Sequence, residues 1–368
     1  MTRIAIIGCG IIGATIAYEL SQVPGLEITA IDRAYEPATG ATQAALGVLM
    51  GIISQKVKGR AWRLRERTLR RYEILIPELE AIAECSIPYN RQGIVKLCFP
   101  GDDLEKWRNL CETRRSQGWS LELLTPEQVR SRYEQLADLD LIGAVYSPQD
   151  RQLDPVALTR ALVSAATRQG VAFQFGVEVL GARYTETGDR KICQGLETSV
   201  GSLAVDWAIV AAGLGSTALT EQLGEAVEIR PVLGQGLKVR LATPLGAGRP
   251  EPVLTGDDVH IVPLGRGEYW IGATVEFPQA GMELRGDRAQ LDAVWERAIA
   301  FCPGLADGEI VNTWSGLRPR PEGRPAPVIG PLDGFKNVLL ATGHYRNGIL
   351  LAPATALAVR ETISENEC

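Results

Sequence analysis

Six residues near the amino terminus, Gly8-Cys9-Gly10-Ile11-Ile12-Gly13, carry the first chemical signal of the chain. The apolar run at residues 3–7 suits a parallel strand buried on both faces. Ile12, Ile16, Ala17 and Leu20 then follow at helical spacing. A second apolar run at residues 26–31 ends at Asp32, 19 positions after Gly13. Gly8 permits the tight turn, Gly10 lets the backbone approach a pyrophosphate, and Gly13 lets the helix pack closely on the sheet. The helix start supplies free N–H donors and a partial positive charge for that anion. Asp32 is placed to accept hydrogen bonds from a ribose diol. Strand, helix and acid in register point to dinucleotide binding rather than a ligand-free turn. Cys9 reads as a small filler within the loop, not a redox group.

A second kind of chemistry lies far along the chain. Arg318 stands in Gly316-Leu317-Arg318-Pro319, and Arg346 in Thr342-Gly343-His344-Tyr345-Arg346-Asn347-Gly348. A guanidinium grips a carboxylate through two charge-assisted hydrogen bonds. Spacing alone leaves Arg318 open between that role and a structural ion pair. Arg320 and Arg324 lie in proline-rich sequence and read as surface or pyrophosphate-side residues. The two histidines are His260 and His344. Either could touch a ligand or fill space.

Composition narrows the field. Of 368 residues, 45% are hydrophobic and 22% charged, as in ordinary globular proteins of about two domains. A formal net charge of −6 argues against a nucleic-acid partner, which needs a cationic footprint. The apolar stretch at residues 44–53 is broken by glycines and too short to span a membrane. The opening residues carry no cleavable leader pattern, so a cytoplasmic location is expected. Seven cysteines, at positions 9, 85, 98, 111, 193, 302 and 368, form no CxxC pair and read as reduced thiols. With no Cys/His cluster, no metal site is expected. No Walker-type phosphate loop and no GxSxG nucleophile elbow occur.

The elements that must position these residues follow from periodicity. Residues 60–84 read as one long helix. Its Arg60, Arg63, Arg65, Arg67, Arg70 and Arg71 alternate with or precede glutamates, which suggests a solvated, ion-paired face. Strands are expected at 93–99, 171–175, 206–211, 232–241, 259–264, 269–273 and 338–341. Helices are expected at 102–118, from Thr125-Pro126, from Asp154-Pro155, at 287–302, and from the last glycine-rich turn to about Thr362. A polar hairpin is expected at Thr187-Gly188-Asp189. The order runs α/β, then β-rich, then α/β again. The fold class expected is therefore α/β plus α+β, with a Rossmann-like domain assembled from discontinuous segments beside a β-rich substrate domain. The division expected is 1–84, 150–222 and 325–368 for nucleotide binding, against 85–149 and 223–324 for substrate.

These motifs together resemble the D-amino-acid oxidase family of FAD-dependent oxidoreductases, and within it the glycine oxidases of thiazole biosynthesis. The resemblance covers nearly the whole chain. Besides the first motif it rests on Gln43-Ala44-Ala45-Leu46-Gly47, His260-Ile261-Val262-Pro263 and Gly272-Ala273-Thr274. Two longer carriers are Gly316-Leu317-Arg318-Pro319 and residues 343–353, GHYRNGILLAP.

The resemblance implies FAD held non-covalently, since no cysteine stands near Gly316 where related sarcosine oxidases tether the flavin. It implies oxidation of an amino acid by hydride loss from Cα to flavin N5, with oxygen reduced to hydrogen peroxide. It gives catalytic positions to Arg318, Arg346 and His260. It gives cofactor positions to Gly8, Gly10, Ile11, Ile12, Gly13, Asp32, Arg33, Thr42, Gln43, Ala44, Gly47, Val179, Ala212, Gly213, Arg318, His344, Tyr345, Arg346, Asn347, Gly348 and Ile349. A small amino acid and oxygen are the partners implied, along with a homo-oligomer of up to four copies. The compared glycine oxidases carry tyrosine at His260 and methionine at Val275, so substrate anchoring and pocket size differ here. Two other readings remain open: a dehydrogenase passing electrons to a quinone or carrier, and a flavin-binding subunit without turnover of its own.

Overall fold

The computed structural model describes residues 1–136, 139–246, 249–278 and 285–367. A six-stranded sheet runs in the order Val328–Pro331, Val338–Thr342, Trp207–Val210, Thr2–Ile7, Leu26–Asp32, Ala172–Phe175. Its pairings are parallel except for the antiparallel edge strand Val328–Pro331. Ile4, Ala5, Ile6 and Ile7 are buried on both faces of the sheet, as an all-apolar parallel strand requires. The chain leaves the first strand toward one edge and returns on its other side. That reversal creates a crevice at the carboxyl ends of Thr2–Ile7 and Trp207–Val210.

The helix Ile11–Ser21 is buried over nearly its whole length because it is apolar nearly all round. It packs against Pro155–Arg168 and the last helix, Gly348–Glu367. The last helix continues past the expected end at Thr362. Glu19, the buried charge of the first helix, accepts from Arg71 at 2.6 Å and from Arg360 at 3.1 Å. Pairing on both sides offsets its desolvation. The long helix Gly59–Ala83 therefore corrects one expectation. Arg67 and Arg70 form exposed pairs with Glu361 and Glu66, but Arg71 is an interior anchor, only 15% exposed.

An eight-stranded sheet forms the second half of the molecule. Its order is Glu309–Pro321, Ile229–Arg240, Glu268–Gly272, Val259–Gly265, Val253–Gly256, Ile94–Cys98, Gly143–Ser147, Glu122–Leu124. The amphipathic helix Arg288–Phe301 covers one face through Leu291, Val294, Ala298 and Phe301. The helix Pro126–Arg132 starts at the expected place, with a complete capping box between Thr125 and Gln128. The polar hairpin joins Val179–Thr187 to Arg190–Thr198.

Strand membership supports the expected two-domain division, which we propose as the domain assignment. One small sheet crosses its boundaries, because Tyr89–Asn90 pairs with Arg151–Leu153. The six described cysteines are free, and Cys368 lies outside the described residues. Among the described residues no helix is long and apolar enough to cross a membrane, and no group of side chains could hold a metal ion.

Candidate functional site

Three glycine-rich turns meet at the crevice. Gly8 has φ +105, and a Cβ there would lie 2.6 Å from the Ala211 carbonyl oxygen at the end of the neighbouring strand. A Cβ on Gly13 would lie 1.8 Å from the Gly8 carbonyl oxygen. Only glycine permits these approaches. The Ile11 amide, at the start of the first helix, donates to Thr42 Oγ1 at 3.1 Å. Thr42 is thereby fixed over Gly10, whose missing Cβ would sit 3.3 Å from the same oxygen. Asp32 closes the loop from the other side. Its Oδ2 accepts from the Cys9 amide at 2.6 Å and its Oδ1 from the Ala34 amide at 2.9 Å. Each carboxylate oxygen keeps a second lone pair for a ligand hydroxyl. Burial raises the Cys9 thiol pKa, consistent with an inert filler.

The second and third turns are tied together. Ser216 Oγ lies 2.8 Å from Thr342 Oγ1, and Thr342 Oγ1 lies 3.3 Å from the Gly213 carbonyl oxygen. The strand expected at 206–211 spans Trp207–Val210, and Ala212 and Gly213 lie in the turn that follows it. Tyr345 and Asn347 form a 3-10 turn with Arg346, leading into Gly348 and the last helix. The Ile349 carbonyl accepts from Tyr72 Oη at 2.5 Å, which holds the first turn of that helix. His344 is buried, with Nε2 2.9 Å from Thr355 Oγ1, and burial pushes its pKa down to about 3. The remaining expected positions differ in exposure. Ile12 is buried, Val179 is half-buried, and Arg33 and Gln43 are exposed. Gly47 is locked, since a Cβ there would meet the Leu153 carbonyl oxygen at 1.8 Å.

The eight-stranded sheet presents the other wall. In its ladder Arg318 pairs with Val232, Gly316 with Gly234, and Trp314 with Gly236. Gly236 pairs with Gly272, and Gly272 with His260. Opposed and alternate residues share a face. Arg318, Trp314 and His260 therefore project from one face, over a floor of glycines. Arg318 Nη1 donates to the Leu233 carbonyl at 3.1 Å, and no carboxylate lies within ion-pair distance of it among the described residues. Burial lowers the Arg318 pKa, and Arg346 adds to the effect. Arg346 itself is exposed. His260 keeps a buried Nδ1 with no hydrogen-bond partner. Its pKa is pushed down to about 4, first by burial and then by the Arg346 guanidinium. It is neutral at physiological pH.

The two walls touch. Trp314 Nε1 donates to the Ala44 carbonyl at 3.1 Å. A Cβ on Gly316 would meet the Ala44 Cβ at 2.2 Å, and one on Gly272 would lie 3.2 Å from Leu46 Cδ1. The loop at residues 42–47 thus runs from the first helix to the arginine-bearing face.

Sequence reasoning missed the floor glycines Gly234 and Gly236, and Trp314. It also missed a clamp on the next loop. Asp150 accepts from the amides of Gly51, Ile52 and Ile53 at 2.8–2.9 Å. Buried Arg114 donates to the Ile52 and Ser54 carbonyls at 2.7 and 2.6 Å and lies over the Trp62 ring.

The glycine cradle, the acid at the strand end and the helix start fit a dinucleotide such as FAD. The family described as DAO, FAD dependent oxidoreductase, matches residues 3–362. The chain belongs to this family. It is an FAD-dependent oxidoreductase, with the mixed α/β fold of that group. A bifunctional ThiO/ThiG protein from Synechocystis is 32% identical over 371 residues, covering 99% of this chain and 52% of the relative. The chain thus spans about half the length of that protein. A glycine oxidase from Geobacillus kaustophilus is 28% identical, covering 99% of this chain and 93% of the relative. The crystal structure of a glycine oxidase from Bacillus cereus superposes with a TM-score of 0.86 at 26% identity, covering 100% of this chain and 96% of that one.

Proposed function

We propose that the chain oxidises glycine, and also sarcosine or small D-amino acids, to the 2-oxo acid, releasing ammonia or a primary amine and hydrogen peroxide. The observation that carries this reading is Arg318: a half-buried guanidinium without a carboxylate partner among the described residues, on a glycine floor that adjoins the dinucleotide cradle. The full-length similarity to glycine oxidases supports the same substrate class.

Gly8, Gly10, Gly13 and Asp32 would hold the pyrophosphate and ribose of FAD, and the turn at residues 344–349 its ring end. FAD, when bound, supplies the acceptor at N5 for hydride leaving the substrate Cα. Arg318 pins the substrate carboxylate through its planar fork. Arg346 adds positive potential at the mouth of the same pocket. His260, neutral and on the same face as Arg318, lines the substrate side and takes no cationic role. The amine must arrive deprotonated, because its lone pair drives hydride loss. The start of the last helix favours negative charge at the adjoining ring. Val275, smaller than methionine, leaves room for a side chain on Cα. A cytosolic homo-oligomer serving thiazole formation belongs to the same proposal.

The test is anaerobic mixing of the yellow enzyme with glycine, sarcosine and D-alanine, followed by oxygen. Bleaching by glycine and peroxide release on reoxidation are expected. Bleaching without peroxide would replace the oxidase by a dehydrogenase. No bleaching by any amine would overturn the reading.

A further inference from the structure

We propose that Gly234 is the residue that positions the Arg318 guanidinium, and with it the substrate carboxylate. This rests on the reading of Arg318 given above. Gly234 is buried in the strand Ile229–Arg240, directly opposite Gly316. A Cβ built on it would lie 2.2 Å from Arg318 Nη2 and 2.3 Å from both Cζ and Nη1. The guanidinium therefore occupies the space a side chain would take, flat on the strand backbone. Its Nη1 is anchored one residue away, on the Leu233 carbonyl at 3.1 Å.

Gly234 is not glycine for conformational reasons. Its φ lies outside the left-handed range, so the backbone accepts an L-residue. Space is the reason that remains. The same device recurs two residues on, where a Cβ on Gly236 would meet Trp314 Cζ2 at 2.8 Å. A methyl at 234 strikes the far end of a flexible side chain, so the guanidinium lifts while the strand stays. Lifting breaks the bond to Leu233 and moves the carboxylate seat relative to the hydride acceptor. A misplacement of about 1 Å in a positioned substrate costs as much as ~100-fold in rate.

The experiment uses the FAD-loaded enzyme and three variants: Gly234→Ala, Arg318→Ala and the double variant. Acetate, a carboxylate without an amine, is titrated against the flavin absorbance, and KM for glycine is measured beside it. Gly234→Ala is expected to raise the acetate Kd and the glycine KM together, by roughly 10-fold or more. In the Arg318→Ala background the same change should add nothing, because coupled residues are not additive. An acetate Kd within about twofold of the parent, or an equal weakening in both backgrounds, overturns the inference. Thermal unfolding supplies an independent cycle. The double variant should regain the stability that Gly234→Ala loses, since the methyl then occupies the vacated space. Strictly additive losses overturn the inference even where the single variant binds flavin poorly. If Arg318→Ala binds acetate as the parent does, the proposed substrate role of Arg318 falls, and the thermal cycle still decides whether Gly234 seats its guanidinium.

Discussion

Arg318 is a half-buried cation to which the protein supplies no counter-ion within ion-pair distance among the described residues. Arg71 differs, because it bridges Glu19 and Glu78, and buried Arg114 differs in that its fork is spent on the Ile52, Ser54 and Lys56 carbonyls and the Gln117 side chain. A partly desolvated charge without a partner is tolerated where a ligand brings the opposite one. Arg318→Ala should therefore lower kcat/KM for glycine by about 2–5 kcal/mol, as for truncation of one partner of a buried charge pair. Steady-state kinetics check this, and a loss below about tenfold, or ~1.4 kcal/mol, contradicts it. The pH profile belongs to this scale too. With its pKa held near 4, His260 is already neutral across pH 5 to 9. Subsaturating turnover should rise toward alkaline pH as the substrate ammonium loses its proton, with no inflection near 6.5 from an imidazole. His260→Gln should leave that alkaline rise in place; a shifted limb would make His260 the titrating group. The sequence made Arg318, Arg346 and His260 legible as residue types. It could not show that Arg318 is unpaired, because pairing is decided by what the fold brings near.

The turn from Val338–Thr342 into Gly348–Glu367 depends on a neutral histidine. His344 sits buried against Thr355, and its pKa of about 3 lies below the unfolded value near 6.5. The unfolded chain therefore binds the extra proton first as pH falls. Stability is full above about pH 6.5 and is lost on descent toward pH 3. His344→Asn should flatten that part of the curve by up to a few kcal/mol, measured by denaturant unfolding at several pH values. An unchanged slope between pH 6 and 4 would mean that other groups carry the acid sensitivity. Elements of this kind were readable in advance, because glycine turns and apolar strands are local signals. The first helix and its strand stand where periodicity puts them. Register was not readable. Arg318 faces Val232 across a ladder joining residues far apart in the chain, and Gly234 gains its meaning only from that partner. The Asp150 clamp is hidden for the same reason, since it ties position 150 to amides at 51–53.

At the scale of the molecule, the question is why two sheets of different origin unfold or hold together. Their apolar cores are separate: one gathers around Ile6, Ile16 and Leu350, the other around Val239, Ile261 and Val294. The loop at 42–47 links them, with Thr42 on the first helix and Ala44 on Trp314. FAD bound along that loop would contact both walls and stabilise the folded state by RT ln(1 + [FAD]/Kd), about 2.7 kcal/mol at a 100-fold excess over Kd. If both sheets share the ligand, that energy is distributed to both. Adding FAD to apoprotein should then slow amide hydrogen exchange in Thr2–Ile7 and in Glu309–Pro321 alike. The Ala44–Trp314 contact predicts the order of loss when the link is weakened. Trp314→Phe removes the indole donor but keeps an aromatic ring, so protection of the first sheet by FAD should persist while that of the arginine-bearing sheet declines. Protection confined to the first sheet in the parent enzyme would mean that the two walls do not share the cofactor, and the convergence on which the substrate reading depends would be lost.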